Sequence, residues 1–447
     1  MNIIVIGAGT VGSTIADLLV SQGHNLTVID TEAARLRELE DRLDLSTLAG
    51  SGASPQMLWM AGVNEADLVL AMTNNDEVNL LSAQVGRRLG ARRTVARVKK
   101  HEYLFLRGSF NLGRELGIDL VISPEQLTAA EIAAILADPD MPAFGHFAQE
   151  QVQLRHLTLA DDSPFVGKTV KELGLPQGLL LVLIVRGEEI IIPRGDATLQ
   201  AGDKVSFLGL TDAFKKDGFG EERSAPMRRV WMAGGGEIGF YLATMLERMR
   251  LSVKLIDIDR KRCEELSESL NRTEILVGDV TDRRFLEEER IHTADVFVAV
   301  TGDEETNIMS SMLAKQLGVP FCITKVDRPD YAKVIEKIGI DRALSPRLIA
   351  AEKILRLIKG RGLKALSLLE EGKVEVMELE VMDKAPIIQR PLSELFLPRE
   401  CLVAMIVRQG KVKVPRGQDQ IHPGDSLIVI ARTDAVDKLD EFLNPEA

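Results

Sequence analysis

The chain has 447 residues, a net charge of −12 at pH 7 and only three cysteines, Cys263, Cys322 and Cys401. An acidic chain lacks the basic surface on which broad nucleic-acid binding depends, so we expect no nucleic-acid partner. The cysteines are isolated and odd in number, which fits a reducing compartment and offers no metal or redox motif. The longest wholly apolar run, 179–185, is far shorter than the roughly 20 residues of a membrane span. We therefore expect a cytoplasmic chain without a membrane span or a signal peptide.

The first predicted strand leads into a glycine loop. Gly7-x-Gly9-x-x-Gly12 follows an apolar run and precedes an amphipathic stretch, and Asp30 ends the next apolar run. In this fingerprint the first glycine makes a tight turn, the second lets the backbone approach a pyrophosphate, and the third lets the helix pack on the strand. Amides at the helix start receive the phosphates. Asp30 is placed to accept hydrogen bonds from ribose hydroxyls and to repel a 2′-phosphate, which favours NAD over NADP.

Strands and helical patterns alternate through residues 1–140. We predict strands near 3–6, 25–29, 44–49, 67–71, 93–98 and 118–122. This alternation predicts an α/β fold, a doubly wound Rossmann fold whose parallel sheet is covered on both faces. Thr73 and Arg97 end the fourth and fifth strands, where loops at the carboxyl edge of a sheet commonly meet a ligand. Arg97 either reaches a phosphate or is an ordinary solvated surface charge. Ser123 and Pro124 then open a helix as its cap and first turn.

In residues 141–213 the alternation of strands and helices gives way to short apolar runs that predict short strands. Apolar runs at 179–185, 190–192 and 205–208 are separated by Pro193-Arg194-Gly195-Asp196 and by Gly202-Asp203. These features predict a small α+β module after the first Rossmann fold. A charged segment over 214–227, which contains glycine and proline, then reads as a linker.

The whole pattern returns in the second half of the chain. Gly234-x-Gly236-x-x-Gly239 and Asp257 lie 227 positions after their counterparts, and Thr301 and Lys325 lie 228 positions after Thr73 and Arg97. Ser345 and Pro346 repeat the helix start, and Pro415-Arg416-Gly417 repeats the turn of the small module. Duplication in the same order predicts a second Rossmann fold over 228–362 and a second small module over 363–447. Glu237 adds a negative charge beside the second proposed phosphate site. Either loop could instead be a glycine turn that binds no ligand.

The order, spacing and duplication of these motifs over nearly the whole chain resemble the family of domains that regulate the conductance of potassium. The resemblance implies a peripheral cytosolic subunit at the inner face of the cell membrane. Such subunits assemble into rings, here a homo-oligomer and by implication a tetramer, beneath a potassium-translocating integral membrane protein. They gate that partner in response to NAD, NADH, ATP or ADP.

The resemblance also assigns residues to the two nucleotide sites. In the first half they are Gly7, Gly9, Thr10, Val11, Gly12, Asp30, Thr73 and Arg97. In the second half they are Gly234, Gly236, Glu237, Ile238, Gly239, Asp257, Asp279 and Thr301. Gly278-Asp279 fits a pair that lies near the adenosine in this family, whereas the first half departs from it with Gly50-Ser51.

A rival hypothesis is an NAD-dependent dehydrogenase, since the cofactor fold alone does not exclude one. Hydride transfer usually needs a nearby acid or base such as histidine. The six histidines occupy no duplicated position: His24 aligns with Leu251, and His101 aligns with Pro329. The repeat keeps the residues that bind and not those that react, so we expect no catalytic residue and no enzyme activity.

A third interpretation concerns the small modules. Arg194 and Arg416 could anchor a second anionic ligand in their turns. The alternative is that Pro-Arg-Gly shapes a hairpin, with proline fixing φ and glycine supplying a positive φ. We favour the hairpin, because the modules are better placed to pair with each other or with a partner protein.

Overall fold

The computed structural model describes the chain except for residues 105–110, 138–143, 149–150, 215–226, 329–330, 332–334, 336–337, 360–361, 384, 389, 396, 437 and 440–447. The chain divides into two compact units. The first unit comprises Met1–Ala137 with Pro226–Ala351, and the second comprises Asp138–Ala225 with Glu352–Ala447. The predicted linker over 214–227 lies almost wholly outside the described residues.

The first unit begins with a Rossmann fold. Its strands are β1 (Asn2–Ile6), β2 (Asn25–Asp30), β3 (Ser46–Ala49), β4 (Leu68–Ala71), β5 (Thr94–Arg97) and β6 (Leu120–Ile122). Its helices are α1 (Thr10–Ser21), α2 (Ala33–Glu40), α3 (Pro55–Met60), α4 (Asp76–Leu89), α5 (Leu112–Leu116) and α6 (Pro124–Ala137). The described strands pair in parallel in the order β3-β2-β1-β4-β5-β6, which is the strand order of dinucleotide-binding folds.

The second Rossmann fold repeats this arrangement. Its strands are β12 (Arg229–Ala233), β13 (Ser252–Asp257), β14 (Glu274–Val277), β15 (Val296–Ala299), β16 (Phe321–Lys325) and β17 (Arg342–Leu344). Its helices are α7 (Glu237–Arg248), α8 (Arg260–Ser269), α9 (Arg283–Glu288), α10 (Glu304–Gln316) and α11 (Pro346–Lys359). The parallel order β14-β13-β12-β15-β16-β17 matches that of the first sheet.

The two Rossmann folds pack on each other through α6 and α7. Ala129, Ile132 and Ala133 of α6 share one buried apolar cluster with Tyr241 and Leu242 of α7. Burial of such side chains stabilises the contact by about 25 cal/mol per Å² of apolar surface removed from water. Helix α7, which directly follows the second glycine loop, therefore packs against the first fold.

The second unit contains two five-stranded antiparallel sheets within its described residues. One has the order β10-β9-β11-β8-β7 and the other the order β18-β19-β22-β20-β21. The first is built from β7 (Phe144–Phe147), β8 (Val152–Thr158), β9 (Leu179–Arg186), β10 (Glu189–Ile191) and β11 (Lys204–Leu210). The second is built from β18 (Leu363–Leu369), β19 (Val374–Glu380), β20 (Cys401–Arg408), β21 (Lys411–Lys413) and β22 (Ser426–Arg432). Both contribute to one buried core, in which Leu154 and Val182 join Val376 and Ile428.

These observations confirm the predicted fold class, two Rossmann folds with parallel sheets, each followed by a small α+β module. Among the helices that the structure describes, none combines the length and apolar character needed to cross a membrane. The serine cap is confirmed at Ser123, whose Oγ accepts the amide of Gln126 at 3.2 Å. It is wrong at Ser345, whose buried Oγ has no partner among the described residues.

The predicted hairpin at Pro-Arg-Gly is also wrong. The strands β9 and β10 are joined at Gly187, which has a φ of 61°, whereas 193–195 follows β10 and Gly195 has no positive φ. A Cβ on Gly195 would lie 2.5 Å from the side chain of Lys171, and the Gly195 carbonyl accepts the Lys171 amide at 3.0 Å. The turn therefore packs against 170–172 and does not connect two strands of a hairpin.

Candidate nucleotide-binding site

The glycine loops have the geometry of phosphate-binding loops. Gly7 and Gly234 have φ values of 102° and 104°, a region that favours glycine. A Cβ on Gly12 would lie 1.9 Å from the carbonyl oxygen of Gly7, so the third glycine is required by the fold itself. At Gly9 the nearest atom to a Cβ is 3.9 Å away, and at Gly236 there is no described atom within 4 Å. The second glycine of each loop therefore leaves space for a ligand.

At the start of α1 and α7, some residues have side chains buried in the core, and their amides could face a phosphate. Val11 and Ile238 are each only 7% exposed, so their side chains pack in the core and only their amides could face a phosphate. Thr10 and Glu237 precede them as the first helical residues. Unpaired amides in this first turn, together with the helix dipole, favour an anion. The two sites differ in that α1 begins with a neutral residue and α7 with an acid.

Asp30 and Asp257 fix the shape of the loops. One carboxylate oxygen of Asp30 accepts the Ala8 amide at 2.6 Å, and the other accepts the Glu32 amide at 2.8 Å. Asp257 repeats both contacts with Gly235 at 2.6 Å and Asp259 at 2.9 Å. A carboxylate oxygen can accept more than one hydrogen bond, so capacity for ribose hydroxyls remains. Each aspartate thus joins the glycine loop to the end of the second strand of its sheet.

Thr73 and Thr301 are held by a buried asparagine in each half. The Thr73 hydroxyl donates to Oδ1 of Asn79 at 2.7 Å, and Asn79 Nδ2 donates to the carbonyl of Arg97 at 2.9 Å. Thr301 and Asn307 form the same contact at 2.7 Å. The threonine hydroxyl hydrogen is used within the protein, so only its oxygen could accept from a ligand. The asparagine ties the ends of two neighbouring strands together at the ligand edge.

Arg97 and Lys325 are not solvated surface charges. Arg97 is 8% exposed, and its Nη2 lies 2.9 Å from Oε1 of Glu125. The Lys325 side chain is 11% exposed and pairs with Asp327 at 3.1 Å. That alternative is wrong because both cations lie between strand ends and the following elements, where an acid compensates them. Nε of Arg97 is buried without a partner among the described atoms, so its charge is only partly satisfied.

Asp279 stabilises its own loop. Its Oδ1 accepts the amide and the hydroxyl of Thr281 at 2.8 and 2.7 Å, and these hydrogen bonds lower the pKa of the carboxyl. A Cβ on Gly278 would lie 2.3 Å from the ring of Phe285. Gly278 donates its amide to the carbonyl of Asp257 at 3.0 Å, which places the Gly-Asp pair beside that acid.

Glu237 lies between the second loop and the first Rossmann fold. Its Oε2 is buried and has no hydrogen-bond partner among the described atoms. Burial raises the pKa of the Glu237 carboxyl, and the charges of Arg262, His101 and Lys99 oppose that increase. A negative charge in this position competes with a phosphate for the start of α7.

The first fold and α7 make direct polar and aromatic contacts. The Tyr241 hydroxyl donates to the carbonyl of Lys99 at 3.4 Å, and the ring of His101 lies 5.1 Å from that of Phe240. The amide of Lys99 in turn donates to Asp76, at the start of α4, at 2.9 Å. A continuous set of contacts therefore links the strand ends of the first site to the helix of the second.

Two arginines beside the loops were missed in the sequence. Arg35 lies on α2 near Gly9, and Arg262 lies on α8, where its Nε donates to the carbonyl of Gly235 at 2.7 Å. Arg262 follows Arg35 by 227 positions, the same interval that separates the glycine loops. This shared interval was the signal that could have identified them.

Comparison with known proteins places this geometry in a family. The TrkA-N domain matches residues 3–124 and 230–346, and the TrkA-C domain matches residues 154–216 and 376–444. The chain belongs to the TrkA family. Each domain matches once in each half of the chain, which agrees with the tandem arrangement of the fold.

Full-length relatives agree with that assignment. The Trk system potassium uptake protein TrkA homolog of Archaeoglobus fulgidus is 34% identical over 447 residues, covering 99% of this chain and 100% of the relative. The Trk system potassium uptake protein TrkA of Halomonas elongata is 34% identical over 440 residues, covering 96% and 95% of the two chains. The TrkA family name thus applies along the entire length.

Solved structures share the fold. The GsuK RCK domain aligns with a TM-score of 0.57 and 19% identity over 99% of this chain and 94% of that one. The GsuK channel bound to NAD aligns with a TM-score of 0.58 and 20% identity, over 99% of this chain and 78% of that one. At these identities the likeness concerns the fold. The space at Gly9, the amides of α1 and the acid at Asp30 fit a dinucleotide by their own geometry.

Proposed function

We propose that this chain is a non-enzymatic regulatory subunit that binds a nucleotide and thereby controls a potassium-translocating membrane protein. The observation that carries the proposal is the duplicated Rossmann site in a chain of the TrkA family. The relatives are named for potassium uptake, and the GsuK channel has been described bound to NAD. We place the subunit in the cytoplasm, at the inner face of the cell membrane, as a homo-oligomer and in particular a tetramer.

The proposed ligand of the first site is NAD or NADH, with ATP or ADP as alternatives. Its pyrophosphate lies over Gly9 and accepts hydrogen bonds from the amides of Thr10 and Val11. Asp30 accepts hydrogen bonds from a ribose hydroxyl, and Thr73 and Arg97 border the same edge of the sheet. The second site offers the corresponding groups of Gly234, Gly236, Glu237, Ile238, Gly239, Asp257, Asp279 and Thr301, with the acid at Glu237 weakening phosphate binding.

Control of the partner requires a difference in affinity. A nucleotide shifts an equilibrium between two arrangements of the subunit only as far as it binds one more tightly than the other. The Rossmann folds over 1–140 and 228–362 bind the nucleotide in this proposal, and the small modules over 141–213 and 363–447 are regulatory. The contacts between α6 and α7 bring any change at one site to the other fold.

Calorimetric titration of the full chain with NAD, NADH, ATP and ADP tests the binding step. We expect saturable binding of at least one of these ligands and competition between them for the first site. Reconstitution with the candidate potassium transporter in vesicles tests control: potassium flux should change when the bound ligand is added. A chain that binds none of the four ligands, or that leaves flux unchanged with each of them, would contradict the proposal.

A further inference from the structure

Arg35 stands at the ligand side of the first glycine loop. The absent side chain of Gly9 marks the direction from which a pyrophosphate approaches the loop. In that direction the nearest atom is Nη1 of Arg35, 3.9 Å from the position that a Cβ on Gly9 would occupy. A guanidinium therefore lies across the space that the loop leaves open for phosphate.

The one ion pair that the described structure gives Arg35 is weak. Its Nη2 lies 2.9 Å from Oε1 of Glu32, and the two side chains are 43% and 57% exposed. Ion pairs between exposed side chains contribute little to stability because water and salt screen them. Arg35 can therefore exchange this partner for a ligand phosphate at small cost, or bind the phosphate with Nη1 while Nη2 keeps the pair.

The counterpart in the second half is arranged differently. Nε of Arg262 donates to the carbonyl of Gly235 at 2.7 Å, and Nη1 pairs with Glu265 at 3.1 Å. Its charge also opposes the raised pKa of Glu237. The described structure has no atom within 4 Å of a Cβ on Gly236. Arg262 is thus engaged by the Gly235 carbonyl and by acidic neighbours, whereas the described contacts of Arg35 are limited to one exposed acid.

From this contrast we infer that Arg35 is a phosphate-binding residue of the first site, and that Arg262 has no such role in the second site. The inference rests on the proposed nucleotide binding. A guanidinium presents several N–H donors in one plane and forms paired, charge-assisted hydrogen bonds with phosphate oxygens. Arg35 therefore adds a side-chain contact to the backbone amides of α1.

Two phosphates could be the target, the pyrophosphate or a ribose 2′-phosphate. An arginine after the second strand accommodates the 2′-phosphate in NADP-binding folds. Here Asp30 ends that strand and would repel such a group, whereas Nη1 of Arg35 lies next to Gly9. The position therefore favours the pyrophosphate that NAD and ADP share.

Two matched variants of the full chain, Arg35→Gln and Arg262→Gln, test the inference. Calorimetry measures the Kd of ADP, NAD and NADP, and thermal unfolding without ligand checks the fold. We expect Arg35→Gln to weaken ADP and NAD binding by about tenfold or more, the usual effect of losing a charged hydrogen bond. Arg262→Gln should leave the tight site unchanged, and Arg35→Lys should retain part of the affinity because it keeps the charge.

Three results would overturn the assignment. They are unchanged ADP and NAD affinity in Arg35→Gln, a loss confined to NADP, or an equal loss in Arg262→Gln. A lowered unfolding temperature in Arg35→Gln that Arg35→Lys fails to restore, together with weak binding in both, would show a structural role instead. Wild-type protein that binds none of the ligands would contradict the proposed function itself, whereas the other results leave it standing.

Discussion

At the scale of single residues, the two candidate nucleotide sites share their loop geometry and differ in charge. Asp30 and Asp257 make equivalent contacts with their loops. The helix starts differ, because Thr10 is neutral and Glu237 is an acid whose Oε2 is buried without a described partner. A carboxylate satisfies the helix dipole in the absence of a ligand, but it repels an incoming phosphate. The first site is therefore the better candidate for tight nucleotide binding.

We predict that Gly9→Val abolishes tight nucleotide binding and leaves the fold intact. The valine side chain would extend into the ligand space, and the nearest protein atom to its Cβ is 3.9 Å away. Calorimetry with NAD and a thermal unfolding curve measure the two effects. The matched variant Gly236→Val should leave the tight site unaffected. Wild-type affinity in a folded Gly9→Val protein would show that the site is assigned to the wrong place.

We predict that Gly12→Ala, unlike Gly9→Val, lowers the stability of the fold. Its Cβ would lie 1.9 Å from the carbonyl oxygen of Gly7, so α1 must move away from β1. We expect destabilisation of about 1–3 kcal/mol, as for other overpacked interior positions. Chemical denaturation of the variant and the wild type measures this difference. Equal stability would mean that the loop relaxes more easily than its geometry indicates.

The stability of the protein should depend on pH through the ionisation of Glu237. Burial raises the pKa of its carboxyl above the ordinary value of 4.5, so the folded protein holds this proton more tightly than the unfolded chain does. The free energy of unfolding contributed by this group is then greatest below 4.5 and decreases as pH rises through the raised pKa. Glu237→Gln should flatten that decrease, as measured by urea unfolding across this range.

Glu268→Gln provides the control for that measurement. Glu268 is an exposed acid on α8 of the same fold, so its replacement changes the net charge equally without touching the interface. We expect this variant to keep the wild-type pH dependence. If both variants behave alike, the effect comes from net charge rather than from the buried position of Glu237.

At the scale of elements, an arginine–aspartate pair in each small module joins the end of a strand to a Gly-Asp turn. Nε and Nη2 of Arg186 donate to Asp203 at 2.9 and 2.8 Å, and Asp203 is 1% exposed. Arg408 and Asp425 repeat the pair at 2.8 and 2.7 Å. Burial alone would raise the pKa of Asp203, but the hydrogen bonds from Arg186 and from the backbone hold it below its usual range. The Gly202-Asp203 turn thus anchors the end of β9 through the contact of Asp203 with Arg186.

We predict that Asp203→Ala destabilises the protein by about 2 kcal/mol, since it removes a charge-assisted pair from a buried position. Asp196→Ala, at an exposed position of the neighbouring turn, is the control and should have little effect. Chemical denaturation compares the variants with the wild type. Equal stability of all three proteins would rule out an anchoring role for the pair.

Sequence patterns predicted the Rossmann elements well, because buried parallel strands and glycine loops have distinctive local signatures. The observed strands β2 and β4 lie within two residues of their predicted limits. Contacts between distant residues were less predictable. The burial of Arg97 depends on Glu125, which lies 28 positions later and has no local signature. The Pro-Arg-Gly turn was misassigned because its backbone pairs with Lys171, a contact that spacing along the chain does not reveal.

At the scale of the whole molecule, a chain with two similar Rossmann folds can build a ring from few copies. Most homo-oligomers close by rotational symmetry. We predict a tetramer, and four chains of 49.2 kDa give about 197 kDa. Light scattering coupled to size-exclusion chromatography measures this mass. A monomer at micromolar concentration would contradict the prediction.

We also predict binding of NADH without turnover. The histidines differ in position between the two halves, whereas the glycine loops are repeated. Absorbance of NADH at its characteristic wavelength should stay constant in the presence of protein and common carbonyl substrates. Steady consumption that disappears when one histidine is replaced would support a dehydrogenase.

The packing of α6 on α7 joins two folds that are encoded in one chain. In a homodimer of single-fold subunits, every substitution would appear in both sites at once. Here α7 begins with Glu237 and α1 begins with Thr10, which is possible because the two positions are encoded separately. A tandem chain therefore allows its two candidate sites to carry different charges, which a homodimer of single-fold subunits does not.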